Sequence, residues 1–178
     1  MSTLFLSRDS PTNSKLTDLD GSTVYVVKTK HKWKDEVTGI SRADGEELVS
    51  VTWKPFSDEM FTMNCKTAPL ADLLQRDNKL GSSNRFFNNA AGQRFQWKIL
   101  NGHLYCVDET TGLSVAAYYR SGGGIFSKGK SAYIDISEQV TDEQDLFVVT
   151  CLMMENINRY RKAIMYSGGG WYLAIKSP

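Results

Sequence analysis

One segment near the end of the chain constrains the fold more than any other feature. Residues Leu146–Met154 read Leu-Phe-Val-Val-Thr-Cys-Leu-Met-Met, and Thr141 with Gln144 before them forms a capping box, which is typical of a helix start. We therefore expect a helix over about residues 141–162. Its first half is apolar on every side, and a helix of that kind must be enclosed on every side. The run is far shorter than the ~20 apolar residues that cross a membrane.

The rest of the chain predicts short antiparallel strands, because turn dipeptides recur between β-branched and aromatic runs. The runs are Thr23–Lys30, Glu47–Trp53, Arg94–Leu100, His103–Val107, Leu113–Arg120 and Ser131–Ile136. No repeat or long linker divides the 178 residues, so we predict a single domain over 1–178, with strands over about 2–136 and a last strand over about 171–176. The simplest enclosure for the helix is this sheet curled around it. The predicted fold class is therefore mainly β (α+β), an antiparallel β-barrel wrapped around one hydrophobic C-terminal helix.

The Asn101-Gly102 turn predicts one hairpin residue by residue, because both turn positions favour a positive φ. A two-residue loop pairs Leu100 with His103 and Trp97 with Cys106. The predicted buried face then holds Phe95, Trp97, Ile99, Leu104 and Cys106, and the predicted outer face holds Gln96, Lys98, His103 and Tyr105. In the next run, alternation predicts one face made of Leu113, Val115, Ala117 and Tyr119.

Charge and cysteine content narrow the function classes. Lys and Arg number 21 against 20 Asp and Glu, a formal net charge of +1. No global field favours nucleic acid or an anionic membrane, so such binding needs a local patch, and we expect no nucleic-acid partner. The three cysteines are an odd number without a Cys-x-x-Cys pair, and the first residues do not resemble a signal peptide. These features favour an intracellular, cytoplasmic location.

A strand-rich chain closed by one very hydrophobic helix resembles the Tubby C-terminal-like superfamily, which includes the LURP-one-related proteins and the phospholipid scramblases, and more narrowly an uncharacterised family of fungal domains near it. The matching segments are Val24–Thr29, Val51–Trp53, Arg85–Phe86, Gly92–Lys98, Val115–Ala116 and Leu146–Arg161. The resemblance implies a helix on the axis of a closed barrel of about a dozen strands. It also implies that binding of phosphoinositide head groups is within the range of the fold.

One basic segment is the candidate binding site. Lys28, Lys30, Lys32, Trp33 and Lys34 fall within seven residues, and alternation points the four lysines to the same side. Lysines attract phosphate, and a tryptophan suits a lipid interface. The competing interpretation is a solvated hairpin end, whose charge is offset by the acidic residues that follow at once.

Other sequence motifs give weaker evidence of a functional site. Gly124–Ser131 satisfies the Walker A pattern, yet the residues after it resemble a strand, so a glycine-rich connection between strands is the better interpretation. A site made of Cys65, Cys106 and His103 is conceivable for a metal, but the predicted hairpin puts the last two on opposite faces. We expect no metal, no cofactor and no catalytic residues.

Two functions remain in view. The first is a non-enzymatic binding module for anionic phospholipid head groups or a membrane surface, through the basic segment. The alternative is an enzyme or carrier for a small hydrophobic molecule, with a cleft beside the central helix. The sequence predicts no oligomeric state.

Overall fold

The computed structural model describes residues 1–31, 35–54, 58–122 and 131–166, the last six of these for their backbone alone. Thirteen strands form one antiparallel sheet, and one long helix follows them. The strands are β1 Ser2–Leu6, β2 Ser14–Thr17, β3 Thr23–His31, β4 Glu36–Arg42, β5 Glu47–Trp53, β6 Met60–Met63, β7 Lys66–Pro69, β8 Gln75–Arg76, β9 Arg85–Asn88, β10 Arg94–Leu100, β11 His103–Asp108, β12 Ser114–Tyr119 and β13 Tyr133–Ile136. A short helix α1, Leu70–Leu73, lies between β7 and β8, and a 3-10 helix, Glu138–Glu143, precedes the long helix α2, Gln144–Tyr166.

The sheet is two meanders joined by one ladder. Its strand order is β7-β6-β5-β4-β3-β2-β1-β13-β12-β11-β10-β9-β8, so every strand from β1 to β7 lies beside its neighbour in sequence, as does every strand from β8 to β13. The ladder between β1 and β13 connects the two halves, with Ser2 paired with Ile136 and Phe5 with Tyr133. The first and last strands of the described residues therefore meet in the middle of the sheet.

The sheet does not close by hydrogen bonds into the barrel that the sequence analysis predicts. Among the described residues its edges are β7 and β8, which do not pair with each other. All twelve pairings are antiparallel, so in a row of thirteen strands the two edge strands run the same way. Parallel neighbours need a crossover of about a dozen residues or more. Only residues 70–74 separate Pro69 from Gln75, so no parallel ladder can form.

The two edges are nevertheless close, because so short a connection spans at most about 20 Å. Helix α1 occupies this gap. Its Leu70 and the following Leu74 are buried in the hydrophobic core, so side chains cover the place where strand pairing stops. We call the thirteen-stranded sheet the wall, and the side of it that faces α2 its inner face.

The segment of α2 from Phe147 to Glu155 is buried on every side, as the composition of the first half of the helix predicts. All nine residues from Phe147 to Glu155 are buried, a run of two and a half helical turns. The Phe147 ring meets the ring edges of Phe87, at 5.4 Å between centroids, and of Phe95, at 5.0 Å. The indole N–H of Trp97 donates to Thr150 Oγ1 at 3.1 Å, which satisfies the polar atom within the apolar run.

The start of α2 differs from the prediction. Thr141 does not cap it: its hydroxyl donates to the carbonyl oxygen of Ser137 at 3.2 Å, because Thr141 lies inside the 3-10 helix. Ser137 is the capping residue there, and its side chain accepts from the backbone N–H of Gln139. A kink at Val140, with φ −127°, interrupts the helical geometry, so α2 begins at Gln144, later than the capping box indicates.

The predicted hairpin is confirmed in register. Leu100 pairs with His103 and Trp97 with Cys106, and Asn101 and Gly102 have φ values of 51° and 82°. One burial prediction for this hairpin was wrong. Gln96 is buried although it was expected on the outer face. The predicted common face of Leu113 and Val115 is interrupted, because the register shifts by a bulge at Cys106 and Val107. Leu113, which precedes β12, is exposed, whereas the core contains Val115, Ala116 and Tyr118.

Candidate functional site

Strand β3 places the first two lysines of the basic segment on the outer face of the wall. Tyr25 and Val27 are buried in the core, and the alternation of a strand turns Lys28 and Lys30 the other way, where both are exposed. The two lysines lie about 7 Å apart along the strand. Of the four lysines predicted to share one side, Lys28 and Lys30 lie on the same side of β3.

A third lysine, which the sequence analysis missed, extends the same face. Lys15 of β2 is exposed and pairs with Val26 of β3, so Lys28 is its diagonal neighbour, about 7–8 Å away. The signal was present in the sequence, because Ser14 and Leu16 alternate with Lys15 as inward residues. Four residues are too short a run to identify a strand from alternation alone. Below, Lys15, Lys28 and Lys30 are called the lysine face.

The strands beside the lysine face present small side chains. One row of paired residues runs outward from Lys28 and consists of Gly39, Ser50, Thr62 and Thr67. The hydroxyls of Thr62 and Thr67 are hydrogen-bonded at 2.8 Å, which keeps them against the sheet. Next to Lys30 the paired residues are Val37 and Thr52. No large aromatic side chain stands in these positions, so the lysine side chains are not enclosed by their strand neighbours.

Two acidic residues lie near the lysine face. The Glu36 carboxylate lies 3.1 Å from Nδ1 of His31, and both side chains are largely exposed. The Glu47 carboxylate lies over Gly39, 3.4 Å from where a Cβ would be, and Gly39 is the residue paired with Lys28. None of the three lysines forms an ion pair of its own with another residue that the structure describes. The three lysines therefore share this part of the sheet with the Glu47 carboxylate without being paired to it.

The remaining predicted site residues, Lys32, Trp33 and Lys34, lie outside the described residues, as do the predicted strand over 171–176 and most of the Walker A pattern. The structure still decides the Walker A interpretation through the residues that follow. Tyr133–Ile136 forms a strand that pairs with β12, not a helix. The pattern therefore lies between two neighbouring antiparallel strands, as expected, and the described residues 131–136 do not form the helix that follows a phosphate-binding loop.

A charged cluster that the sequence analysis missed ties α2 to the wall near residue 155. The Glu155 carboxylate is buried, and its Oε1 lies 2.7 Å from the Nε atoms of both Arg120 and Arg159. Arg159 also donates to the Asp9 carbonyl at 2.6 Å and to its carboxylate. Tyr118 and Ser121 donate to the same Asp9 carboxylate, at 3.1 and 2.8 Å. No spacing in the sequence links these residues, because they come from three separate parts of the chain.

This cluster sets the protonation of its members. Burial alone would raise the pKa of Asp9, but hydrogen bonds from Arg159 and Ser121 and the Arg159 charge lower it overall. Burial raises the pKa of the Tyr118 hydroxyl, and the nearby Glu155 charge raises it further. Asp9 is therefore ionised and Tyr118 neutral at neutral pH. Every charge in the cluster is matched by an opposite one, which is the arrangement of a structural network.

A second polar cluster holds the start of α2. The Tyr25 hydroxyl donates to Asp145 Oδ1 at 2.6 Å and accepts from Gln144 Nε2 at 3.0 Å. Arg42 bonds to the other oxygen of Asp145, and Asn89 donates to Glu143 at 3.0 Å. The buried apolar segment of α2 is thus bracketed by polar anchors at both ends.

The two buried cysteines, Cys106 and Cys151, are packed in the core and show no sign of reactivity. Burial raises the pKa of the thiols of Cys106 and Cys151 well above the usual range, so both stay protonated. The conceivable metal site is not assembled: Cys106 lies in the core, whereas His103 lies on the outer face against the rings of Tyr105 and Tyr119. Among the described residues no group of three or more potential metal ligands occurs. No helix in that part of the chain is long and apolar enough to span a membrane.

Comparison with known proteins identifies one family. A family model described as a family of unknown function, DUF6593, matches residues 9–160. That range covers most of the wall and the enclosed part of α2, and the chain belongs to this family. No curated protein and no solved structure matches the chain.

Proposed function

We propose that this member of the DUF6593 family is a non-enzymatic binding module for anionic phospholipid head groups, and that the lysine face is its contact surface. One observation carries the proposal: three exposed lysines lie side by side on one sheet face, each without an ion pair of its own to another described residue. Each lysine near an anionic bilayer contributes about 1 kcal/mol of attraction. Lys32, Trp33 and Lys34 follow β3 directly in the sequence, and we include them in the proposed contact.

Vesicle sedimentation tests this function. The full chain should sediment with phosphatidylcholine vesicles that contain phosphatidylserine or a phosphoinositide, and remain in the supernatant with pure phosphatidylcholine. The variant Lys28→Glu/Lys30→Glu should lose this binding. A control variant with the same charge change, Lys66→Glu/Lys79→Glu, alters two exposed lysines outside the lysine face and should bind nearly as well as the wild type.

Salt provides a second readout, because screening weakens contacts between exposed charges. Binding should fall steeply as the salt concentration rises. Binding that ignores salt, or that both double variants lose equally, would count against the lysine face. Circular dichroism and a urea melt of each variant confirm that it is folded.

The interior of the wall supports a binding module over the alternative function. An enzyme or carrier for a small hydrophobic molecule needs room beside the central helix. In the described part of the chain, nine consecutive residues of α2 are buried by the wall, and the rings of Phe87 and Phe95 contact Phe147 directly. Side chains of the protein therefore fill the space around this part of the helix.

We also propose that the domain is a variant of the Tubby C-terminal-like type whose sheet is not closed by hydrogen bonds between β7 and β8. The support is the enclosure of one hydrophobic helix by thirteen strands, together with the short distance between the two sheet edges at α1. The scramblases and LURP-one-related proteins would then be distant relatives. An experimental structure that superimposes on a Tubby domain strand by strand would test this, and a different strand order would refute it.

A cytoplasmic location fits the proposed function. The cytoplasmic leaflet carries the anionic lipids of a cell membrane, so a protein with a lysine face would meet its ligand there. Fractionation of cells that express the tagged chain should show it in the cytosol and on membranes, and release from membranes by salt would match the lysine contact.

A further inference from the structure

We propose that the lysine face responds to the surface charge density of an anionic bilayer and does not recognise one head group by its stereochemistry. This inference rests on the proposed function and names the ligand more closely: the bilayer surface itself. It follows from the shape of the lysine face, which is an open sheet surface and not a concave pocket.

The first step concerns geometry. Stereospecific recognition of a phosphorylated inositol needs several donors that converge on one position within a concave site. The three lysines instead stand about 7 Å apart on the outer face of a sheet, and Gly39, Ser50 and Thr52 beside them are small. Nothing among these described neighbours fixes the direction of a lysine side chain.

The second step concerns the chemistry of lysine. An ammonium group on a flexible stem acts as a point charge and does not impose the planar, two-pronged geometry of a guanidinium. Three such charges in a row match a layer of phosphate and carboxylate groups in any arrangement. Their attraction should therefore depend on how many charges face the bilayer, and hardly on where each one sits.

Glu47 provides an internal check on this mechanism. Its carboxylate lies over Gly39, opposite Lys28, without an ion pair to that lysine. If total charge decides binding, Glu47 weakens it, and removal of its charge should strengthen it. If one lysine holds one head group, a carboxylate that touches neither lysine nor ligand should have little effect.

The main experiment compares two kinds of vesicle at the same measured zeta potential, one containing phosphatidylserine and the other phosphatidylinositol bisphosphate. The full chain should bind both with similar affinity. A preference for the bisphosphate larger than the about five-fold effect of one lysine would overturn this inference and leave the proposed function standing. If the chain binds neither kind of vesicle, the proposed function is overturned, and this inference with it.

Substitutions provide the second arm. The charge-preserving variant Lys15→Arg/Lys28→Arg/Lys30→Arg should bind phosphatidylserine vesicles as tightly as the wild type. Lys15→Gln, Lys28→Gln and Lys30→Gln should each weaken binding about five-fold, and Glu47→Gln should strengthen it by a similar factor. Loss of binding by the arginine variant, or a loss concentrated in a single glutamine variant, would contradict charge-density recognition.

Discussion

The carboxylate of Glu155 and the guanidinium of Arg159, one turn apart on α2, meet at 2.7 Å where the helix passes from buried to exposed. Glu155 is 1% exposed and Arg159 30%. The pair fixes the position of α2 along its axis relative to the sheet, because Arg120 of the wall approaches the same carboxylate oxygen. A helix shifted by one turn would leave Glu155 buried without a partner, at a cost of several kcal/mol.

The first prediction concerns this carboxylate. Glu155→Gln keeps the shape but leaves two half-buried arginines without their shared partner, and it should lower the free energy of unfolding by about 2 kcal/mol. Urea denaturation followed by circular dichroism measures the change. The control Glu109→Gln alters an exposed glutamate and should stay within about 0.5 kcal/mol of the wild type. Equal urea midpoints for the two variants would show that the cluster does not stabilise the fold.

The second prediction concerns pH and Asp9. Because the pKa of Asp9 is lowered in the folded protein, its contribution to stability is complete above its ordinary value of 3.8 and is lost as the pH falls through the folded value. Asp9→Asn should therefore be less stable than the wild type at neutral pH, and the difference should shrink below about pH 4. Urea melts across this range measure the difference, and parallel curves would contradict the prediction.

The third prediction concerns the enclosed helix. Leu152 is 1% exposed, and Leu152→Ala should cost about 2–5 kcal/mol through lost burial and a residual cavity. Leu152→Asp should unfold the domain, since an unpaired charge would enter the core. The control Leu113→Ala changes a leucine that is 55% exposed and should be nearly neutral. A soluble, cooperatively melting Leu152→Asp protein would disprove the enclosure of α2.

The fourth prediction concerns the β10–β11 turn. Gly102 has a φ of 82°, which costs an L-residue about 1–2 kcal/mol, so Gly102→Ala should destabilise the domain by about that amount. Gly122 is the matched control, because a Cβ there meets nothing within 4 Å and its φ is not in the left-handed region. Gly122→Ala should be neutral or stabilise by a few tenths of a kcal/mol. A melting temperature that changes in the same direction for both variants would refute the predicted difference between Gly102 and Gly122.

The sequence was informative where one local rule decided the outcome. The Asn101-Gly102 turn determined the full register of β10 and β11, because a two-residue loop leaves no freedom in the pairing. The composition of Leu146–Met154 predicted a helix enclosed on all sides, because no other environment accepts such a surface. Both features depend on neighbours in sequence.

The sequence did not predict the features that depend on contacts between residues far apart in the chain. The short strands β6 to β9 have no clear alternation, and pairing with their neighbours forms them. The Glu155 cluster joins Asp9, Arg120 and Arg159, whose proximity only the fold creates. The sheet stays open because its thirteen described strands are an odd number, which makes the two edge strands run the same way. The strand runs predicted from the sequence were too few to give that number.

The pairing of β1 with β13 has a consequence for how the molecule is made. A ribosome releases the two meanders one after the other, yet Ser2 finds its partner Ile136 only when most of the chain has emerged. The helix that fills both halves comes later still. Until the ladder and α2 have both formed, the apolar residues of the inner face lack the neighbours that bury them, so we expect the two halves to become stable together and not one after the other.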